Sequence, residues 1–321
     1  MLVSLMVPCY NEEEALPFLY EALCKVMDEC PKYSYELIFV NDGSRDKTLQ
    51  VLKDMAAKDP RVRYISFSRN FGKEAAMYAG LSAAKGEWIG LLDADMQDPP
   101  SLLPEMFETL ESGECDIVAT RRVSRKGEPP IRSFFARRFY RLINKFTDVE
   151  IVDGARDFRV MTRPVVNAIL SLSERQRFSK GIFAWVGFRT KWLEFENVER
   201  IAGETKWSFW SLFLYAIEGI VSFTTAPLRI ATLVGFFISC LSFGYLVYYF
   251  VHAIMLRIWD DVPGYPSLLS FMLFLGGMVL MALGIIGEYL AKTYIEVKHR
   301  PLYVISEDSE SKKEEKEEKE D

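Results

Sequence analysis

The sequence predicts an α/β domain with a mostly parallel sheet, followed by two apolar helices long enough to span a membrane. Over the first 120 residues, apolar runs of strand length alternate with stretches of helical periodicity. This alternation is typical of βαβ units. Residues 230–256 and 268–287 contain no Asp, Glu, Lys or Arg. Each meets the requirement of roughly 20 apolar residues for crossing a bilayer.

The predicted strands and helices follow from these runs and from local capping signals. The predicted strands cover residues 2–7, 36–40, 62–67, 88–92 and 116–120. The predicted helices cover residues 12–30, 46–58, 73–84 and 101–112, with Ser44 or Asp46 capping the second. A short strand is predicted at 157–161, a helix near Pro164, and a strand with a turn over 183–195.

The net charge of −6 is concentrated at the C-terminus of the chain. Residues 307–321 carry nine acidic residues and four lysines, a net charge of −5, which leaves −1 for everything before them. Such a segment has nothing to bury, so we expect disorder after about residue 306. The five cysteines have no metal-ligand spacing, which indicates reduced thiols in a reducing compartment.

Two amphipathic segments are expected to lie on the membrane surface, at about 130–147 and 205–226. Residues 121–145 include nine basic residues and one acidic residue, and aromatic residues are interleaved with the basic ones. Such a helix binds an anionic membrane or phosphates, or is simply a solvated basic face. Nucleic acid is disfavoured because the rest of the chain has no basic footprint. In the second segment, Trp207 and Trp210 are suited to the headgroup level.

The charges around the two apolar runs predict their orientation. Acidic residues lie in the connection between the runs, and basic residues flank the pair on the outside. Under the positive-inside rule both flanks are cytoplasmic. We therefore expect a cytoplasmic catalytic domain over 1–227, two spans at about 230–253 and 268–291 within 228–295, and a cytoplasmic tail over 296–321. These features predict an integral protein of the plasma membrane. They do not decide whether it forms a homo-oligomer.

Polar clusters follow three of the predicted strands at their carboxyl ends. They are Pro8–Glu12, Asn41–Ser44 and Asp93–Asp95. Pro99 and Pro100 follow the last of these clusters. Parallel strands present these ends to one crevice, where α/β sheets bind ligands. Asp93 and Asp95, spaced i, i+2, are suited to a hard divalent cation holding substrate phosphates. The alternatives are a solvated acidic turn and, for Asp42, a turn residue before a glycine.

Taken together, the motifs resemble those of the family-2 glycosyltransferases with the GT-A fold. More narrowly, they resemble the polyprenyl-phosphate glycosyltransferases, which include dolichol-phosphate mannose synthases and bacterial bactoprenol glucosyltransferases. The resemblance covers residues 2–305. The motifs that carry it are residues 7–12, 40–44, 69–73, 92–100, 157–159 and 200–207, together with the two apolar runs ending at residues 287–289.

This resemblance implies a nucleotide-sugar donor, a polyprenyl-phosphate acceptor, and Mg²⁺ or Mn²⁺ on Asp93 and Asp95. It implies a catalytic group consisting of Asp157, Asp95, Arg200 and Lys206. The implied nucleotide-sugar site consists of Pro8, Tyr10, Asn11, Glu12, Asp42, Lys73, Asp93, Ala94, Asp95 and Gln97. The implied acceptor-phosphate site consists of Arg122, Arg137, Arg200 and Lys206.

The expected reaction is inverting transfer of a hexose, glucose from UDP-glucose, to undecaprenyl phosphate at the cytoplasmic membrane face. The two apolar runs favour the bacterial glucosyltransferase type, since some dolichol-phosphate mannose synthases lack them. GDP-mannose, UDP-N-acetylhexosamine and formamido-arabinose donors remain alternatives. A non-catalytic scaffold that binds nucleotide sugar is a further alternative. The lipid phosphate is largely dianionic at pH 7, so Asp157 is expected to orient the acceptor or a metal rather than remove a proton.

Overall fold

The structure is a computed structural model that describes residues 1–123, 152, 154–172, 174–196, 226–256 and 265–311. Arg137, Arg200 and Lys206 lie outside the described residues. So do the two predicted interfacial segments, except for residue 226. The chain divides into two compact units, Met1–Phe213 with Arg300–Asp321, and Leu214–His299.

An eight-stranded sheet forms the centre of the first unit. Its strands are β1 (Leu2–Cys9), β2 (Ser34–Asn41), β3 (Val62–Phe67), β4 (Trp88–Leu91), β5 (Ile117–Arg122), β6 (Ala155–Thr162), β7 (Thr190–Phe195) and β8 (Ile305–Asp308). Their order in the sheet is β7-β5-β6-β4-β1-β2-β3-β8. The β1–β2, β1–β4, β2–β3 and β5–β7 pairs are parallel, whereas β6 and β8 pair antiparallel with their neighbours.

The helices of this unit agree with the predicted alternation, with their ends shifted by a few residues. They are α1 (Leu16–Glu29), α2 (Thr48–Lys58), α3 (Lys73–Ala83), a 3-10 turn (Pro100–Leu102) leading into α4 (Leu103–Glu111), α5 (Arg163–Ser171) and α6 (Ser179–Trp185). Neither Ser44 nor Asp46 is the N-cap of α2, which is Lys47 and makes no side-chain capping hydrogen bond. Asp46, one residue earlier, accepts a hydrogen bond from the Thr48 N–H at its Oδ1. The expected strand and turn over 183–195 was wrong in its first part, where α6 extends to Trp185.

The central strands are buried because helices cover both of their faces. Strands β1 and β2 read as nearly continuous apolar runs, and Leu5, Leu37 and Phe39 are fully buried. Side chains of α1 and α4, such as Leu19 and Phe107, complete the core on one face. Near-continuous apolar strands are the expected pattern for a parallel sheet buried on both sides.

Strand β6 determines which side chains reach the ligand edge of the sheet. It lies between β4 and β5 and runs antiparallel to both. Its first residues therefore lie at the edge where the parallel strands end. Because Leu91 pairs with Arg159, the same register continued brings residue 157 opposite residue 93.

The predicted disorder after residue 306 was wrong for the described part of the tail. Strand β8 continues to Asp308 and pairs antiparallel with β3. Ser309 is buried, and its Oγ accepts a hydrogen bond from the Tyr64 N–H. A charged segment is ordered here because the otherwise unpaired edge of β3 offers it backbone hydrogen bonds.

The second unit contains two long helices that correspond to the predicted apolar runs. They are α7 (Ala226–Leu256) and α8 (Tyr265–Val297), and they contact each other. Among the described residues, one helical segment, Phe274–Val297, is long and apolar enough to cross a membrane. A shorter apolar stretch, Ile230–Tyr245, lies in α7. Large apolar side chains along both helices are exposed, including Phe243 and Leu280.

Candidate active site

The turns after β1 and β2 are tied together by hydrogen bonds between side chains and backbone. The Asn11 N–H donates to Ser44 Oγ at 3.0 Å, and the Arg45 N–H donates to Asn11 Oδ1 at 2.9 Å. Asn11 has φ 56°, a left-handed conformation that asparagine tolerates better than most residues. These contacts make Asn11 a structural link between the two turns, in addition to its predicted place in the donor site.

Asp42 holds the loop that leads into α3. Its Oδ1 accepts a hydrogen bond from the Phe71 N–H at 2.6 Å, and its Oδ2 accepts one from the Gly72 N–H at 2.9 Å. Burial raises the pKa of Asp42, and the two backbone hydrogen bonds offset only part of that effect. Each carboxylate oxygen has a second lone pair, so a nucleotide contact remains compatible with this arrangement.

A glycine is required next to Asp42 because the loop approaches it closely. Gly43 has φ 63°, and a Cβ at this position would lie 2.3 Å from the carbonyl carbon of Arg69. Any side chain at Gly43 would therefore displace residues 69 and 70 and weaken the hydrogen bonds that Asp42 accepts.

Lys73, the first residue of α3, joins the two sides of the candidate site. Its Nζ lies 2.7 Å from Asp93 Oδ1 and 2.5 Å from Asp157 Oδ2. The lysine side chain is 44% exposed overall, but the two carboxylates enclose its ammonium group. Lys73, predicted on the donor side, contacts both the predicted metal ligand and the predicted catalytic carboxylate.

The charges around Asp157 keep it ionised. Burial is the largest single influence and would raise the pKa of the Asp157 carboxyl, but Lys73, Lys180 and Arg159 together outweigh it. The pKa is thereby held well below its usual range. Burial opposes the charge on Lys73 as well, but Asp157 and Asp93 raise its pKa above the ordinary value.

A second carboxylate–cation pair lies beside the first. Arg156 Nε donates to Asp98 Oδ1 at 2.8 Å, and its Nη2 donates to Gln97 Oε1 at 3.4 Å. Asp98 has no exposed side-chain surface, and its Oδ2 is buried without a hydrogen-bond partner. Burial raises the pKa of Asp98 to about 6 despite Arg156, and the charges of Asp93 and Asp95 add to the rise.

Arg159 holds the backbone at the start of β6 through two hydrogen bonds. Its Nε donates to the Asp157 carbonyl oxygen at 3.1 Å, and its Nη2 donates to the Arg156 carbonyl oxygen at 2.8 Å. The guanidinium lies 3.5 Å from the centre of the Phe183 ring, and burial lowers its pKa to about 10. Arg159 thus fixes the backbone that carries Asp157 and Arg156.

The turn after β4 contains a strained residue between the two predicted metal ligands and Gln97. Met96 has φ 58°, which is uncommon for a residue other than glycine. The Gln97 N–H donates to Asp95 Oδ1 at 3.1 Å, which closes the turn. Strained backbone of this kind is common at binding sites, where neighbouring contacts enforce it.

The carboxylates fit a hard divalent cation that the substrate helps to hold. Asp93 and Asp95 supply oxygen ligands, the type that Mg²⁺ and Mn²⁺ prefer. Within the described ranges, no group of three or more His, Cys, Asp and Glu side chains is arranged to hold a metal. A cation bound through one or two carboxylates, with phosphate oxygens and water completing its shell, matches this donor set.

The other predicted residues that the structure describes lie at the same edge of the sheet. Pro8 pairs with Val40 in the sheet, Ala94 is buried, and the Glu12 N–H donates to Thr48 Oγ1 at 2.8 Å. Tyr10 is half-buried immediately after β1. Arg122 ends β5 and donates its N–H to the Gly154 carbonyl oxygen at 3.0 Å.

Sequence reasoning missed Arg156, Arg159, Asp98 and Lys180 as parts of this site. Arg156 and Arg159 flank Asp157, and Asp98 belongs to the acidic motif, so their positions in the sequence were a usable signal. Lys180 carries no comparable signal, since only the fold brings α6 near Asp157.

The sequence matches known families in both units. Residues 4–170 match glycosyl transferase family 2. The chain belongs to this family. As a family-2 member it is a glycosyltransferase, and its α/β fold with a mostly parallel sheet is GT-A-like, as the motifs predicted. Residues 226–293 match the family described as the GtrB C-terminal hairpin, which covers most of α7 and α8.

Relatives cover nearly the whole chain. A Bacillus subtilis protein named as a glycosyltransferase, CsbB, is 47% identical over 306 residues, which are 95% of this chain and 92% of the relative. The bactoprenol glucosyl transferase of Shigella phage SfV is 41% identical over 310 residues, 97% of this chain and 100% of the relative. The prophage bactoprenol glucosyl transferase homolog of Escherichia coli K12 is 42% identical over 305 residues, 95% and 98% of the two chains.

Among solved structures, glucosyl-3-phosphoglycerate synthase from Mycobacterium tuberculosis is similar at a TM-score of 0.47 and 17% identity. The match covers 68% of this chain and 77% of that one, whose structure contains Mn²⁺, UDP-glucose and phosphoglyceric acid.

Proposed function

We propose that the protein is an inverting glycosyltransferase that moves glucose from UDP-glucose onto undecaprenyl phosphate at the cytoplasmic face of the membrane. The observation that carries the proposal is the contact of Lys73 with both Asp93 and Asp157. It brings the carboxylate expected near the donor diphosphate next to the one expected near the acceptor. The bactoprenol glucosyl transferases that match this chain over nearly its full length support the choice of sugar and lipid.

In the proposed reaction, an oxygen of the lipid phosphate attacks the anomeric carbon of the donor. A new bond forms between this oxygen and the carbon, and the bond from the carbon to the diphosphate oxygen breaks on the opposite face. The nucleoside diphosphate leaves with the electron pair, and the configuration at the carbon inverts. Since the attacking phosphate is already largely dianionic, no base is required.

The roles of the described residues follow from their charges. Asp157 is ionised and held by Lys73, so it is suited to orienting groups at the reacting centre rather than to accepting a proton. Lys73 adds a fixed positive charge near the place where negative charge develops on the leaving diphosphate. Arg122, Arg137, Arg200 and Lys206 are proposed to bind acceptor phosphate.

We propose Mg²⁺ or Mn²⁺ as the cofactor, held by Asp93 and Asp95 together with the donor diphosphate. When bound, such an ion stabilises negative charge on the phosphate oxygens. The described residues form no complete metal cage, so cation and nucleotide sugar are expected to bind together. Calorimetry should then find weak cation binding to the protein alone and stronger binding in the presence of UDP.

The second unit is proposed to anchor the protein through two spans, α7 and α8, with both ends of the chain in the cytoplasm. The exposed apolar side chains on both helices support this proposal, as do the basic residues outside the pair. The segment at 130–147 is proposed to lie on the membrane surface and to bring lipid phosphate to the site. A homo-oligomer remains compatible with this arrangement.

A donor panel tests the reaction. Purified protein, undecaprenyl phosphate and Mg²⁺ or Mn²⁺ are incubated in turn with UDP-glucose, GDP-mannose, a UDP-N-acetylhexosamine and a nucleotide-linked formamido-arabinose, with and without EDTA. We expect glucosyl transfer that stops when EDTA is added. Transfer from another donor alone would correct the sugar, and full turnover in EDTA would remove the metal. Donor binding without transfer to any lipid phosphate would favour the scaffold alternative.

Cysteine labelling tests the topology, using a variant without the five native cysteines. An impermeant thiol reagent added outside intact cells should label a cysteine introduced at Asp261 and miss one introduced at Glu310. The reverse pattern would overturn the orientation, and equal labelling of both sites would remove the two-span arrangement.

A further inference from the structure

The C-terminal segment, residues 302–310, follows α8 in the chain and lies along β3. The Ser68 N–H donates to the Val304 carbonyl oxygen at 2.9 Å, and Ser306 Oγ donates to the Ser66 carbonyl oxygen at 3.0 Å. Strand β8 thereby covers the edge of the sheet next to β3. Unpaired sheet edges are reactive surfaces that proteins cover or pair, so a structural role for β8 is expected.

Ion pairs hold the acidic end of this segment. Arg63 lies 2.7 Å from Asp308 and 2.5 Å from Glu310, and Lys53 lies 3.0 Å from Glu307. Residue 63 is near the start of β3, so these contacts lie far along the strand from its carboxyl end. They attach the segment to the domain without reaching the candidate active site.

The other end of the segment makes a different kind of contact. The Tyr303 ring stacks on the Phe67 ring, with centroids 4.8 Å apart and planes inclined by 14°. Phe67 in turn meets Phe71 edge to face at 5.8 Å, and the Arg69 guanidinium lies 3.9 Å from the Phe71 ring centre. A continuous row of rings therefore leads from the C-terminal segment to the loop at residues 69–72.

This loop carries part of the candidate site. The N–H groups of Phe71 and Gly72 donate to the Asp42 carboxylate, and Lys73 follows directly. Gly72 has φ 98°, and nothing lies within 4 Å of the position its Cβ would take, so no side chain packs at this point of the loop. The loop is held by Asp42 on one side and by the Phe71 ring on the other, and Tyr303 supports that ring through Phe67.

We propose that Tyr303 is a positioning residue for the loop at residues 69–72, and through it for Asp42 and Lys73. Residues 302–310, which follow α8 in the chain, then contribute to the arrangement of the donor side of the site. The effect on substrate rests on the proposed function, whereas the effect on the loop does not. Losing one aromatic pair corresponds to a change of about three- to tenfold in an equilibrium constant.

The experiment compares Tyr303→Leu with Tyr303→Phe and with a matched control, Glu310→Gln, in the full-length chain. Amide hydrogen exchange of Phe71 and Gly72 reports on the loop, and calorimetry with UDP-glucose reports on the donor side. For Tyr303→Leu we expect exchange faster by about three- to tenfold and a Kd weaker by a similar factor. Tyr303→Phe and Glu310→Gln, which keep the ring or lie at the other end of the segment, should match the wild type.

Unchanged exchange in Tyr303→Leu, or an equal effect in Glu310→Gln, would overturn the proposal. So would faster exchange with unchanged UDP-glucose affinity, because Tyr303 would then not act on the donor side. If the wild type binds no UDP-glucose but Tyr303→Leu shows the expected faster exchange, the effect of Tyr303 on the loop is supported and the proposed donor is wrong. Should Tyr303→Leu fail to fold, Tyr303→Met is measured in the same way, since methionine fills space without providing a ring.

Discussion

Asp157, whose side chain is 16% exposed, and Asp98, whose side chain is fully enclosed, lie at the same edge of one sheet. Each is paired with one cation, and their pKa values shift in opposite directions. The pKa of the Asp157 carboxyl is held well below its usual range, whereas the pKa of Asp98 rises to about 6. Burial raises both. Lys73 lowers the pKa of Asp157 most, and Lys180 and Arg159 lower it further. Arg156 lowers the pKa of Asp98, but the acidic Asp93 and Asp95 add to the rise caused by burial.

The comparison shows that a single ion pair does not decide whether a buried carboxylate is charged. Asp157 belongs to a neighbourhood with several cations, so it is a permanent anion suited to electrostatic and orienting roles. Asp98 is fully enclosed with one unpartnered oxygen, so its charge responds to pH and to other ions. One side of the site is therefore electrostatically fixed and the other adjustable.

The largest effect is expected from Lys73→Met, which removes the cation shared by Asp93 and Asp157. The two carboxylates would then repel each other, and the positive charge near the leaving diphosphate would be lost. We expect the transfer rate to fall on the order of 10²-fold or more, the scale for removing a preorganised electrostatic group. Steady-state transfer assays at saturating donor and acceptor provide the measurement.

The matched control for this prediction is Lys85→Met, which removes a lysine paired with Glu310 outside the site. Lys73→Arg keeps the charge and should retain part of the activity. A Lys73→Met enzyme with nearly wild-type turnover would show that the bridge between the two carboxylates has no part in the reaction.

The next effect is expected from Asp157→Asn, which keeps the size of the side chain and one acceptor oxygen. If Asp157 orients the acceptor or a metal, some transfer survives, with a loss of about tenfold mainly in kcat, and Asp157→Ala loses more. Because the carboxyl is ionised throughout the neutral range, the wild-type rate should show no acidic limb from Asp157 between pH 5 and pH 8. Transfer rates across this range, together with UDP-glucose calorimetry, test both points.

The outcomes of this experiment separate the roles. Complete loss in Asp157→Asn, with a wild-type rate that follows one acidic pKa, would make Asp157 a general base. Lost donor binding would assign it to the nucleotide side, and wild-type rates in both variants would remove it from the site.

Local sequence patterns predicted most of the first unit, since strands and helices there alternate with clear apolar periodicity. The range of β3 was predicted as Val62–Phe67, as found. Strand order was not predictable, because nothing in the local pattern of residues 157–161 says that this strand runs antiparallel between β4 and β5. Strand β8 was missed because its residues are mostly polar and depend on the distant edge of β3 and on Arg63 for their order.

The site was predictable to the extent that its residues follow strands. The acidic motif and Asp42 were expected at the carboxyl ends of parallel strands, and they lie there. The contact of Lys73 with Asp157 was not expected, because it depends on the register of β4 against β6 and on the start of α3. The sharing of Arg156 by Asp98 and Gln97 likewise requires the fold.

The smallest effect is expected from Asp98→Asn and concerns the pH dependence of stability. The pKa of Asp98 in the folded protein, about 6, lies above the ordinary value of 3.8, so the folded state favours the protonated form. Its contribution to stability is therefore present at low pH and is lost as pH rises through about 6. Asparagine cannot ionise and keeps an oxygen for Arg156. Only about one unit of the shift lies above pH 5, so between pH 5 and pH 8 the variant should gain about 1.4 kcal/mol relative to the wild type in the free energy of unfolding.

Thermal unfolding in detergent at pH 5 and pH 8, with EDTA present so that no divalent cation supplies charge near Asp98, measures this difference. Asp116→Asn is the matched control. Arg189 holds the pKa of Asp116 below its ordinary value, so that carboxyl is ionised throughout this range and its loss should change stability equally at both values. Parallel pH curves for the wild type and Asp98→Asn would mean that Arg156 outweighs burial at Asp98. In that case the two carboxylates of the comparison would behave alike, and the whole edge of the sheet would be electrostatically fixed.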